Sequence, residues 1–91
     1  MIRRHAIVAG MVQGIGFRWS AREKARVLGV SGFARNRLDG TVELEVEGEP
    51  EKVERMLDWL RTGPSGSRVD RVTVDEVAAL GEDTFRVRET Q

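Results

Sequence analysis

Along the chain the spacing of apolar positions changes several times, and each change marks an element. The run Ala6-Ile7-Val8-Ala9, within residues 3–12 and flanked by polar and glycine residues, reads as a buried strand. Phe17, Ala21, Ala25 and Leu28 then recur at helical spacing, with Arg22, Glu23, Lys24 and Arg26 between them and Gly29 as a stop. That spacing predicts a helix over about residues 18–28. Residues 30–37 form a second strand candidate, and Asp39-Gly40 behind it is a hairpin signal. Next the period becomes two: Val42, Leu44 and Val46 share one face, while Glu43, Glu45 and Glu47 share the other, where water is expected to solvate them. Pro50 opens a second helix with the apolar stripe Val53, Met56, Leu57 and Leu60, and Gly63-Pro64 ends it. After a loop over residues 63–67, Val72 and Val74 mark a fourth strand. Phe85 and Val87 mark a short fifth one, with Arg86 and Arg88 facing outward.

The order β-α-β-β-α-β plus a short fifth strand predicts an α+β protein. Its natural packing is a ferredoxin-like α/β sandwich, with two helices on one face of a mixed, mostly antiparallel sheet. Such a fold hosts enzymes, RNA binders and regulatory domains, so it does not choose among functions. Ninety-one residues allow one domain, residues 1–91, around one modest core. No stretch approaches the ~20 apolar residues of a membrane span. The apolar run behind Arg3 and Arg4 is short, so no export signal is expected and the cytoplasm is the expected location.

Composition removes much chemistry. With no cysteine there is no disulfide scaffold, no Cys-ligated zinc or iron–sulfur site and no thiol nucleophile. The lone histidine, His5, leaves too few side chains for a His-rich metal site or a Ser–His–Asp triad with a spare base, and it reads as a strand or surface residue. The 15 basic and 15 acidic groups balance but are unevenly spread. Residues 1–40 carry eight Arg and Lys against two acids, and residues 41–91 seven against thirteen. That split favours a localised anion site over a protein that coats nucleic acid, which is usually basic overall.

The segment with chemical content is Gly10-Met11-Val12-Gln13-Gly14-Ile15-Gly16-Phe17-Arg18, which joins the first strand to the first helix. Its glycines permit a sharp turn, and the helix start behind it offers unpaired N–H groups and a positive dipole end. Consecutive N–H groups there form a nest suited to phosphate or carboxylate, and Arg18 adds a permanently charged, two-pronged donor. The plain alternative is that the glycines serve only the turn. Two familiar phosphate motifs fail: a dinucleotide fingerprint needs glycine where Trp19 stands, and a nucleotide P-loop needs Gly-Lys-Ser/Thr. Asn36, unusual inside a strand, either prepares the Asp39-Gly40 turn or offers an amide to a water beside a bound anion. Trp19 and Trp59 read as partly buried packing residues, Trp59 without an evident partner. Ser65 and Ser67 lie in a loop with no base nearby.

Gly10-x-Val12-Gln13-Gly14-Ile15-Gly16-Phe17-Arg18, followed by Leu28-Gly29-Val30-x-Gly32-Phe33-x-x-Asn36-x-x-Asp39-Gly40-x-Val42-Glu43, resembles the acylphosphatase family over nearly the whole chain. The resemblance implies the ferredoxin-like sandwich and a metal-free, cofactor-free hydrolase that cleaves acyl phosphates to a carboxylate and inorganic phosphate. By position it makes Arg18 the phosphate-binding arginine and Asn36 the water-orienting asparagine. It also makes Gln13, Gly14, Ile15, Gly16, Phe17 and Arg18 the phosphate cradle. Met11 stands where arginine is common, and Phe33-Ala34 where Trp-Val is common; the expected consequence is altered packing or substrate preference. The expected partners are the acyl phosphate, with phosphate as product and inhibitor, and neither nucleic acid nor membrane; the chain is expected to be a monomer. The rival reading is a non-catalytic binding module on the same fold, for RNA or a small anion. Aromatic residues at 5% and no tyrosine make base-stacking platforms scarce.

Overall fold

The computed structural model describes residues 1–91. The elements are β1 (Ile2–Met11), α1 (Phe17–Leu28), β2 (Ser31–Asn36), β3 (Val42–Gly48), α2 (Pro50–Thr62), β4 (Arg68–Val77) and β5 (Phe85–Arg88). The strands form one sheet in the order β4-β1-β3-β2-β5. Every neighbouring pair is antiparallel except β2 and β5, which run parallel. Two helices on one face of this mixed sheet give the α+β, ferredoxin-like sandwich. β4 is much longer than the Val72/Val74 signal, because its exposed outer half carries few apolar residues to announce it.

The even positions of β1 and β3 face the helices. Ala6 and Val8 meet Val42, Leu44 and Val46 there, under Phe17, Ala21 and Ala25 of α1 and Val53, Met56, Leu57 and Leu60 of α2. The small alanines let α1 approach the sheet closely, while the long residues of α2 fill the remaining space. Trp59 finds the partner the sequence did not reveal. It packs on Phe17 with ring centroids 5.8 Å apart at 51°, tying the start of α1 to α2. Trp19 corrects the expectation of partial burial: it is 58% exposed, beside Arg22.

The opposite face of the sheet corrects the reading of the glutamates as a solvated row. The register sets Arg3 opposite Glu47 and Arg35 opposite Glu43. Arg3, only 1% exposed, pairs with Glu45, with Glu47 at 3.1 Å and with Glu82 at 2.7 Å. Glu43 is shared by Arg35 and by His5 Nε2, the latter at 2.7 Å. A charge held this far from water needs such partners. Burial alone would lower the Arg3 pKa, but hydrogen bonds to Glu45, Glu47 and Glu82 outweigh it and hold the guanidinium above its ordinary value. Burial would likewise raise Glu43, yet hydrogen bonds from His5 and Arg35 leave it below the usual carboxylate range. Part of the basic excess of residues 1–40 is therefore spent on β3 rather than on an external anion.

Candidate active site

The loop between β1 and α1 takes its shape from two glycines. Gly14 and Gly16 both adopt φ of 78°, a left-handed conformation that other residues resist, and a Cβ at either would meet nothing within 4 Å. Backbone conformation, not crowding, therefore requires glycine there. Gly16 is the N-cap of α1 and offers no side-chain cap, and no acidic residue stands in the first turn. α2 begins differently, with Pro50 removing one donor and Glu51 in its first turn. In α1 the first main-chain bond at the start runs from Ser20 N to Gly16 O at 2.9 Å, and the N–H groups of Gln13, Gly14, Ile15, Gly16, Phe17 and Arg18 donate to no acceptor of the chain. Phe17, 2% exposed, sinks into the core and fixes the helix start.

Side chains at the two ends of this loop are anchored on either side of Asn36. Gln13 Nε2 donates to the carbonyls of Arg37 and Thr41, both at 2.8 Å. Arg18 Nη1 donates to the carbonyl of Arg88 at 2.9 Å, and Arg88 pairs with Arg35 in the parallel β2–β5 register. Asn36 ends β2 on the helix side, opposite Val42, and is half-buried. Its carbonyl accepts from Gln91 N at 3.0 Å, while its carboxamide bonds to no group of the chain. The loop, Arg18 and Asn36 thus meet at one end of the sheet. The Asp39-Gly40 turn next to them is held by Asp39 Oδ1, which accepts from Thr41 Oγ1 at 2.6 Å and Thr41 N at 3.0 Å; both bonds lower the Asp39 pKa.

The other residues singled out in the sequence lie elsewhere or serve structure. His5 and Glu43 are on the far face of the sheet, and Ser67 Oγ donates to Pro64 O at 2.6 Å within its own turn. Met11 is exposed at the end of β1, and Ala34 is buried on the helix side. A surface cavity of about 630 Å³ between α1 and the β4–β5 connection, lined by Trp19, Arg22, Arg26 and Glu82 among others, includes neither Asn36 nor the glycine loop. The side-chain role of Gln13 and the contacts of Gln91 carried no sequence signal, since both depend on backbone carbonyls brought from distant segments.

An α+β sandwich thus carries an uncapped, glycine-bent strand-to-helix loop, one guanidinium and one free carboxamide at the same end of its sheet, the kinds of donors an anion site uses. Residues 4–87 match the family described as acylphosphatase. The acylphosphatase of Thermococcus kodakarensis is 48% identical over 86 residues, covering 94% of this chain and 94% of that one. The crystal structure of acylphosphatase from Bacillus subtilis aligns with a TM-score of 0.92 at 31% identity, covering 97% of this chain and 99% of that one. An acylphosphatase structure from Coxiella burnetii aligns at 0.92 with 37% identity, covering 96% and 92%. The chain belongs to the acylphosphatase family.

Proposed function

We infer that this chain is an acylphosphatase, a hydrolase that converts acyl phosphates to a carboxylate and inorganic phosphate. The observation that carries the site assignment is the set of uncommitted N–H groups at residues 13–18, gathered with Arg18 and Asn36 at one sheet end. An acyl phosphate is a reactive mixed anhydride with a good leaving group. The protein must hold the phosphoryl oxygens as charge redistributes and set a water in line. In this reading the loop amides and the Arg18 guanidinium grip those oxygens, and the Asn36 carboxamide orients the water. The water attacks phosphorus, the bond from phosphorus to the acyl oxygen breaks, and the carboxylate leaves with the bonding electrons. In this reading the water's proton passes to a phosphoryl oxygen.

The finer proposals are that the reaction needs no metal or cofactor and that one chain suffices, because every group invoked comes from a single copy. No helix is long and apolar enough to cross a membrane; action in the cytoplasm is proposed. Base stacking on the open sheet face is disfavoured: Phe33, 9% exposed, lies there under the guanidinium groups of Arg35 and Arg88, at 5.5 and 4.9 Å. The test is hydrolysis of benzoyl phosphate in the presence of a chelator, with inorganic phosphate as competitor. Catalysis with competitive inhibition is expected; a rate no faster than the uncatalysed one overturns the reading.

A further inference from the structure

We propose that the carboxamide of Gln13 is a positioning residue that locks the phosphate-holding loop to the β2–β3 hairpin beside Asn36, so that the held phosphoryl group and the oriented water share one frame. The inference rests on the reading of residues 13–18 as a cradle, and adds a role for a side chain which that reading uses only through its backbone. Gln13 Nε2 spends both hydrogens on Arg37 O and Thr41 O, each at 2.8 Å. Those carbonyls already close the hairpin, accepting from Gly40 N at 3.1 Å and Arg37 N at 2.9 Å respectively. Facing two acceptors, the amide can present only its NH₂ end, and a glutamate would set lone pairs against two carbonyl oxygens. Arg37 follows Asn36 directly, and Thr41 precedes Val42, the strand partner of Asn36. The two bonds therefore fix the loop to the segment that aims the Asn36 carboxamide.

Arg18 provides a separate tie, to β5, and the glycine conformations shape the loop itself. Losing the Gln13 bonds should therefore leave the anion grip largely intact while shifting it relative to the water. A displacement of about 1 Å costs roughly 10²-fold in rate. Gln13→Met, similar in length but unable to donate, is expected to lower kcat by about that factor while the inhibition constant of phosphate changes by less than about threefold. Combined with Asn36→Ala, it should cost little beyond Asn36→Ala alone, because both act on the placement of the same water.

The assay is benzoyl phosphate turnover with phosphate inhibition for the wild type, Gln13→Met, Asn36→Ala and the double variant, with thermal unfolding of each. Gln13→Asn, which keeps the amide but falls one methylene short, takes over if the Met variant does not fold, and the same kcat loss is expected. The proposal is overturned by unchanged kcat, by losses that multiply in the double variant, or by phosphate inhibition lost in step with kcat. A wild type without activity instead strikes the cradle reading itself and takes the proposal with it.

Discussion

Two glycine-containing turns of this molecule offer backbone N–H groups, one satisfied by the chain's own carboxylate and the other by nothing in the chain. At the first, between β4 and β5, Leu80 N donates to Glu47 Oε1 at 2.7 Å and Gly81 N to Oε2 at 2.8 Å, with Arg3 Nη1 adding a contact at 3.1 Å. The bond from Leu80 is the main reason the Glu47 carboxyl is held below its usual range; burial opposes this, and Arg3 and Gly81 add to it. At the second, residues 13–18 present the same parts: left-handed glycines, uncommitted amides and an arginine at the helix start. No aspartate or glutamate of the chain bonds there. The first turn shows which ligand such parts select, an oxyanion gripped by amides and a guanidinium. In the proposed reading the second leaves that grip to a diffusible anion, which would be the difference between a structural clamp and a binding site.

The largest expected effect comes from emptying the filled turn. Glu47→Ala leaves the buried Arg3 one partner short and two amides without acceptors. Removing one partner of a buried pair costs about 3–5 kcal/mol. Arg3 keeps Glu45 and Glu82, so the lower end of that range is expected, read as a shift in urea unfolding. The fraction that remains folded should keep near-normal turnover, since Glu47 lies on the sheet face opposite the cradle. Wild-type stability in this variant would mean the turn is not held as described.

The other turn should behave in reverse, with catalysis lost and stability kept. Asn36→Ala is expected to lower kcat by about 10²–10³ with little change in phosphate inhibition. Arg18→Lys should weaken both, because an ammonium cannot reproduce the two-pronged contact. Neither should cost more than about 1 kcal/mol in unfolding, given a single Arg18 bond to a main-chain carbonyl and an Asn36 carboxamide with none. Near-normal turnover in Asn36→Ala removes it from the mechanism.

Phosphate should separate the two turns within one measurement. A ligand at about a hundred times its dissociation constant adds roughly 2.7 kcal/mol to the stability of a native state that binds it. Wild type and Glu47→Ala are both expected to gain this from phosphate, whereas Arg18→Ala should gain little. A gain of equal size in Arg18→Ala would place the anion elsewhere on the surface.

Which of these turns the sequence reveals follows from where their parts come from. The cradle is local: Gln13, Gly14, Gly16 and Arg18 are contiguous with the start of α1, and their order alone announces a bend before a helix. Asn36 is ambiguous from its residue type, and its proposed role rests on the motif blocks shared with the family. The Glu47 clamp draws on β1, β3 and the turn before β5, so its other members lie 33 to 44 residues from Glu47 along the chain. A period of two in β3 correctly put Glu43, Glu45 and Glu47 on one face. It could not say that Arg3 and Arg35 would be set across from them and that the 80–81 turn would cover Glu47. For the same reason Trp59 had no partner until α1 brought Phe17 to it, and Gln13 no acceptors until the hairpin supplied them.

The smallest expected effect is in acid, which acts on the clamp and not on the cradle. Glu43 and Glu47 have folded-state pKa values below the ordinary one, about 4.3 for glutamate in an unfolded chain. Above that value both forms are ionised, and the stabilisation from these groups is fully present. As pH falls from about 5 through the unfolded value, the unfolded chain binds protons that the folded one does not, and stability declines until the lowered folded values are passed. Glu47→Gln removes one of these groups, so its urea midpoint should fall less steeply with acidity than that of the wild type, by less than one proton in slope. The cradle contains no carboxylate, so turnover of the molecules still folded should not follow this decline. Parallel slopes in wild type and Glu47→Gln would show that Glu47 titrates alike in both states, and the clamp would then be no guide to what the glycine loop binds.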